Sequence, residues 1–456
     1  MLKFSEFAAL LSTIPPLTPN AYPSFSTSNT HSVLNILLYI GNIYKKRLLD
    51  YTPSFFDGCD HGASTEILSK PQKQSVFYIH FDKLPQFNRL HRASIFGITA
   101  FYLYRTRYDL INHKQKDSMS LTPLAWAAGS GHEGVVRVLL SRDDIDPNKP
   151  GEDGETPLFL AAFNGHEEVI KILLGRDDVD PDKPGEDGQT PLFQAARNGH
   201  EGIVKILLGR DDVDPDMSDE YGETPLLQAA CNGYDGVVKM LLGRDDVDPN
   251  KSNEFDETPL FQAASNGNEG VVEMLLGRDN VDPDREDKYG ETPLLQAALH
   301  GHEGVVKMLL RRDDINPDKP DRDGRTPLHC AALNRREDVV RILLRRDGVN
   351  PDTSDNDGRT PLWWASYNGY EGVVKMLLGR DDINPNKPDK DDQTPLLLAA
   401  SNGHEGVAKL LLARGGVNPE KPDRWGRTPL WWAAENGHVR VIALLQRPTS
   451  AIHSPA

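Results

Sequence analysis

The sequence predicts an all-α fold, a solenoid of stacked helix-turn-helix units with projecting β-hairpin loops. Three observations predict it. Thr-Pro-Leu recurs at Thr122, Thr156, Thr190, Thr224, Thr258, Thr292, Thr326, Thr360, Thr394 and Thr428, each 34 residues from the next. Self-similarity at such a period marks an array whose units are too small to bury their own apolar faces and must stack. Within each period two short stretches carry apolar residues at helical spacing, and an Asp- and Pro-rich stretch separates one unit from the next.

The stretch from Gly188 to Pro215, GQTPLFQAARNGHEGIVKILLGRDDVDP, shows each element in order. Thr190 suits a helix N-cap, because its hydroxyl can accept from the free N–H groups of the first turn, and Pro191 suits the first helical position. Counted at about 100° per residue, Leu192, Ala195, Ala196 and Gly199 cluster on one side, with Phe193, Gln194 and Arg197 opposite. The alanines allow close stacking, and the other side is expected to be free to vary. Asn198-Gly199 ends the helix, since Gly tolerates a left-handed cap.

A second helix opens at His200-Glu201, with an acid near the positive end of its dipole. Ile203, Val204, Leu207 and Leu208 give it a broad apolar face. Arg210 stands at its end, and Pro215 biases Asp214 towards extended geometry. A tight turn follows, as at Tyr221-Gly222 or Asp187-Gly188.

This order of elements and the TPL-x-x-AA-x-x-GH pattern resemble the ankyrin repeat. The resemblance covers about residues 88 to 447 and implies the solenoid fold and a protein-binding role. Two departures stand out. The period is one residue longer than the family's usual one, the extra residue falling in the Arg-Asp-Asp-Val-Asp loop. The family's His after TPL is kept only at His329; Phe159, Phe193, Phe261, Leu227, Leu295, Leu397, Trp363 or Trp431 stand there elsewhere. Apolar stacking is the expected substitute for its hydrogen bonds.

The chain divides into residues 1–87, unassigned and partly disordered in composition; 88–121, a degenerate capping repeat; 122–447, ten tandem repeats; and 448–456, a frayed tail. Met1 to Leu17 makes a poor secretory signal, and Val33 to Tyr44 is too short and too interrupted to span a bilayer. Stepping back one period from Thr122 lands on Asn88, and Leu90, His91, Ala93, Ser94 and Gly97 fall at matching sites. In the last unit Val439 replaces the usual Glu, and Pro448 stops the helix, as a capping unit would.

Residues 1–116 hold 13 Lys and Arg against 7 Asp and Glu, a net +6, which leaves −23 of the total −17 on the remainder. So acidic an array repels phosphate backbones, and no nucleic-acid partner is expected. Cys59, Cys231 and Cys330 are odd in number and widely spaced, which argues against a disulfide framework and for a reducing compartment, cytoplasmic or nuclear. No membrane partner is expected, and the array is read as monomeric.

Catalytic motifs are missing from the sequence: it has no phosphate-binding Gly-rich loop, HExxH, CxxC pair or G-x-S-x-G elbow. No enzyme activity, cofactor or metal is therefore expected. His132, His166, His200, His302, His404 and His438 occupy one site of successive units beside a Gly, which reads as a turn role rather than zinc ligation. Asp144, Asp146, Asn148 and Glu155, and again Asp246, Asp248, Asn250 and Glu257, imitate the order of an EF-hand calcium loop. Lys149 and Lys251 stand where that loop needs Gly, so Asx-turns are the preferred reading.

The surface opposite the alanines supplies the partner-binding candidates. Gln194, Gln228, Gln262 and Gln296 form a ladder in four consecutive units. It ends in an aromatic patch of Trp363, Trp364, Tyr367, Trp431 and Trp432, residue types that dominate interface hot spots. Of these, Trp364 and Trp432 are expected to point most directly away from the core. The residue before each Thr changes from Glu155, Gln189, Glu223, Glu257 and Glu291 to Arg325, Arg359, Gln393 and Arg427, an edge acidic in its first half and more basic in its second, which would suit a bipolar partner surface. Tyr221, Phe255, Tyr289 and Trp425 at the hairpin tips would add apolar contacts. The expected function is a non-enzymatic scaffold that binds proteins through its concave inner-helix and hairpin surface. The alternatives are the sensor or regulatory part of a signalling protein, and an enzyme or membrane anchor in residues 1–87.

Overall fold

The computed structural model describes residues 120–185 and 187–446. The expectations for residues 1–87, for nearly all of 88–121 and for 448–456 lie outside these. Twenty helices run through the described residues in ten pairs, from Pro123–Gly129 with Glu133–Leu140 to Pro429–Glu435 with Val439–Leu445. The first helices stack on one another, the second helices do the same, and each pair packs together. There is no strand among the described residues.

Each first helix starts as its sequence dictates. Thr224 Oγ1 accepts from Leu227 N at 3.1 Å, with Pro225 at the first helical position. The same cap forms at Thr122, Thr156, Thr190, Thr258, Thr292, Thr360, Thr394 and Thr428. Helices of seven to nine residues are marginal alone. They persist because Leu192, Ala195, Ala196, Ile203, Val204 and Leu207 are almost wholly buried, as are their counterparts in other units. Each buried Leu, Ile or Val side chain contributes about 1.5–3 kcal/mol, and an alanine methyl less. One core cluster extends from Leu124 to Val441.

Polar side chains at fixed sites tie each unit to the one before. His200 Nε2 lies 3.1 Å from the Phe163 carbonyl, and His166, His302, His404 and His438 reach carbonyls 37 residues back at 2.9–3.0 Å. The recurring histidines thus satisfy carbonyls at the end of the preceding first helix. Asn268 and Arg336 do this elsewhere, through Ala230 and Cys231 and through Leu299.

The loop holding the additional residue works in the same way. Arg244 pairs both its Nε and Nη2 with Asp246, at 2.9 and 2.6 Å, while Nη1 donates to the Leu208 and Arg210 carbonyls at 3.1 Å. Val213 and Val247 then turn into the core.

The outward side of the first helix is less free than its sequence suggests. Phe159, Phe193, Phe261, Leu227, Leu295, Leu397 and Trp363 are all buried. They occupy the site at which His329 reaches the Arg359 carbonyl of the next unit's loop, so that loop covers them. Trp431 has no described unit after it and is 43% exposed; Val439 is exposed too, so this end presents apolar surface.

Candidate partner-binding surface

From Thr224 onwards the loop before each Thr is built on one acidic or amide side chain, where Gly151 and Gly185 stand before Thr156 and Thr190. Asp219 donates its N–H to the Glu223 carbonyl at 3.0 Å, while its Oδ1 accepts from Tyr221 N at 3.0 Å and Glu223 N at 2.9 Å. Asn253, Asp287, Asp321, Asp355, Asp389 and Asp423 repeat this Asx arrangement. Within the loop the backbone adds only the Gly222 N–H to the Asp219 carbonyl, at 3.1 Å, and these two backbone bonds per hairpin are too few to make a strand ladder. The loops also chain together, with Glu220 N donating to the Asp187 carbonyl at 3.0 Å and Glu254 N to that of Tyr221 at 2.8 Å.

These side chains, absent from the candidates above, lie five residues before Thr in seven successive units. That spacing was the available signal. They hold the tip residue two positions on away from the core, so Tyr221 is 49% exposed, Tyr289 57%, Trp425 56%, and Phe255 is also exposed.

The glutamine ladder braces the loop to the helix. Gln262 Nε2 donates to Glu257 Oε2 at 2.7 Å and Gln296 Nε2 to Glu291 Oε2 at 2.6 Å; Gln228 pairs with Glu223 and Gln194 with Gln189 in the same manner. Gln194 and Gln296 are buried, whereas Gln228 and Gln262 are half-buried. Only the latter two offer polar surface. Burial first, and then the neighbouring Asp219 or Asp287, pushes the Glu223 and Glu291 carboxyls above their usual range.

The basic half uses a different brace at the same sites. Trp432 Nε1 donates to Asp423 Oδ2 at 3.0 Å, Arg427 Nε donates to the same oxygen at 2.9 Å, and the guanidinium stands 4.2 Å from the Trp432 ring. Trp364 Nε1 donates to Asp355 Oδ2 at 3.2 Å, with Arg359 5.1 Å from its ring. Both indoles are half-buried against their loops instead of pointing outwards, because a buried carboxylate oxygen lies within reach of the N–H. Trp363 is buried and stacks on Tyr367, which is exposed.

Arg325 pairs with Asp321 and Asp323 at 3.0 and 2.7 Å, and Arg359 with Asp357 at 3.1 Å. With Arg427 on Asp423, each basic residue of the edge is offset by an acid of its own loop. The edge changes sign in sequence without becoming a free basic patch.

The groups weighed for chemistry are engaged within the fold. Asp144 and Asp246 pair with Arg142 and Arg244, while Asp146 and Asp248 accept from Asn148 N and Asn250 N as Asx-turns do. Among the described residues no group of three or more His, Cys, Asp or Glu side chains is placed to hold a metal ion. Cys330 is buried, and burial pushes its thiol up to about 12, far from a reactive thiolate. No helix among the described residues is long and apolar enough to cross a membrane.

No curated protein matches the chain. The family model described as ankyrin repeats (3 copies) matches residues 90–184, 177–253, 245–321, 314–389 and 373–453. These matches tile well over half of the sequence, and they agree with the ten stacked helix pairs, the Thr-Pro-Leu caps and the His-mediated ties between units. The chain belongs to the ankyrin repeat family.

Proposed function

We propose that the array is a non-enzymatic scaffold that binds a partner protein along its first-helix and loop-tip surface. Ankyrin repeats are generally protein–protein interaction modules. The observation that carries the reading here is the row of exposed rings, Tyr221, Phe255 and Tyr289, at three consecutive loop tips, with Tyr367, Trp425 and Trp431 further along. Rigid aromatic side chains lose little entropy on binding and dominate interface energetics. The half-buried Gln228 and Gln262 and the Arg-Asp pairs of Arg325, Arg359 and Arg427 would form the polar rim around them.

Two triple variants test this: Tyr221→Ala with Phe255→Ala and Tyr289→Ala, and Tyr367→Ala with Trp425→Ala and Trp431→Ala. Both should keep the helical circular dichroism of the parent, since the rings are exposed. Affinity capture from cell extract should then lose a partner in one or both. An unchanged set of captured proteins for two folded variants would sink the proposal.

A further inference from the structure

Nine outer loops carry an Asp-Pro or Asn-Pro pair, and the residue after Pro is Asn in three of them, Asp in five and Glu420 in the last. The three asparagines use both ends of the amide. Oδ1 of Asn148, Asn250 and Asn386 accepts from the backbone N–H of Asp180, Asp282 and Asn418, at 2.9, 3.2 and 2.8 Å. Nδ2 donates to the carbonyl of Asp178, Asn280 and Gly416, at 2.5, 2.6 and 2.7 Å. One side chain thus fastens two backbone groups of the next unit.

The aspartates reproduce only half of this. Oδ2 of Asp182, Asp216, Asp284 and Asp318 accepts from the N–H of Asp214, Asp248, Asn316 and Asn350, each at 2.7 Å. Asp352 faces the N–H of Asn384 at the equivalent place, and Lys387 Nζ lies 3.7 Å from its Oδ2. In all five the other oxygen, Oδ1, is buried and has no hydrogen-bond partner. With Oδ2 fixed by the same N–H that fixes the Asn oxygen, Oδ1 falls where Asn places its NH2. The register directs it at the carbonyl 30 residues on, that of Asp212, Asp246, Asp314, Gly348 or Asp382. An ionised oxygen there meets lone pairs, whereas a protonated one can donate.

We propose that Asp182, Asp216, Asp284, Asp318 and Asp352 form a proton-operated fastener: on protonation each Oδ1–H donates to the next unit's carbonyl as the Asn amide does, so acidification tightens the array.

The surroundings agree. Burial is the leading cause that raises the affinity of all five carboxyls for a proton. Asp182 faces Asp180, Asp212 and Asp214. Asp216 faces Asp214 and Asp248 against Lys251, Asp284 faces Asp282 and Asp314 against Lys319, and Asp352 faces Asp382 against Lys387. No charged neighbour contributes at Asp318. The lysines leave Oδ1 unpartnered: Lys251 and Lys319 donate to the backbone carbonyls of Asp216 and Asp284 at 2.6 and 2.7 Å, and Lys387 to that of Asp352. The sign follows. A carboxyl whose pKa is higher folded than unfolded contributes stability that is fully present below the unfolded value, about 3.9, and is lost as pH rises through the folded one.

The test is urea denaturation of the full chain between pH 7.5 and pH 4.0. A variant with Asp182→Asn, Asp216→Asn, Asp284→Asn, Asp318→Asn and Asp352→Asn should have a higher midpoint than the parent at pH 7.5, and the gap should narrow steadily as pH falls to 4.0. The reverse set, Asn148→Asp, Asn250→Asp and Asn386→Asp, should lower the midpoint at pH 7.5 and recover on acidification. To separate the fastener from relief of general repulsion, a third chain carries Asp177→Asn, Asp211→Asn, Asp279→Asn, Asp313→Asn and Asp347→Asn at exposed sites of the same loops. It should move the midpoint much less. A missing gap at pH 7.5, a gap unchanged at pH 4.0, or an equal shift in the third chain would overturn the proposal.

Discussion

His329 Nε2 lies 3.1 Å from the backbone carbonyl of Arg359, thirty residues on, while Nδ1 meets Thr326 N at 3.2 Å and Thr326 Oγ1 at 2.9 Å. One imidazole therefore links its own helix cap to the loop of the following unit. Burial lowers its pKa to about 4. A histidine depressed in the folded state contributes stability present above its unfolded value, near 6.5, and lost as pH falls through the folded one. The full effect is about 3 kcal/mol at roughly 1.4 kcal/mol per unit. His329→Leu, which copies Leu227, Leu295 and Leu397, should remove this component. The difference in urea stability between variant and parent should change between pH 6.5 and pH 4; a constant difference would contradict a buried neutral imidazole.

Asp256 and Asp392 have φ of 62° and 57°, at the loop position where Gly222 and Gly290 have 77°. A side chain in this left-handed region costs about 1 kcal/mol relative to glycine. Asp256→Gly and Asp392→Gly should each raise the thermal midpoint. A fall in both would show that those side chains offset their backbone strain.

Arg244 joins Asp246 through two donors and caps the preceding helix with a third, an arrangement that a planar guanidinium provides and an ammonium does not. Arg244→Lys should cost about 1 kcal/mol, since the pair is partly screened by solvent but the helix carbonyls lose their donor. Denaturation of the single variant would show this, and no loss would mean that water replaces the cap.

Trp364 and Trp432 each donate to a buried loop carboxylate. Trp364→Phe or Trp432→Phe keeps a ring under the guanidinium but removes the donor, and should cost about 1.5–3 kcal/mol as a lost hydrogen bond to a charged group. Trp425→Ala, at an exposed tip, should leave stability within about 0.5 kcal/mol. Equal costs for Trp432→Phe and Trp425→Ala would contradict the division between bracing and free rings.

The sequence by itself determined the fold, because every element depends on contacts between near neighbours. Thr224 caps the helix that Pro225 begins, Leu226, Ala229 and Ala230 share one face, and Gly233 has the left-handed φ its helix end requires. The 34-residue spacing then stacks each face on its copy. Which side chains remain available to a partner was decided only by the tertiary structure. Phe193, Trp363 and Trp431 occupy the same position on their helices, yet the first two are buried and the third is exposed. The difference arises from the next unit's loop, which covers one helix and not another. The acid-to-basic change from Glu291 to Arg325 was likewise legible, but not its neutralisation by Asp321 and Asp323. A periodic sequence fixes what repeats, whereas exposure and pairing depend on the residues that a neighbour 30 to 37 positions away brings into contact.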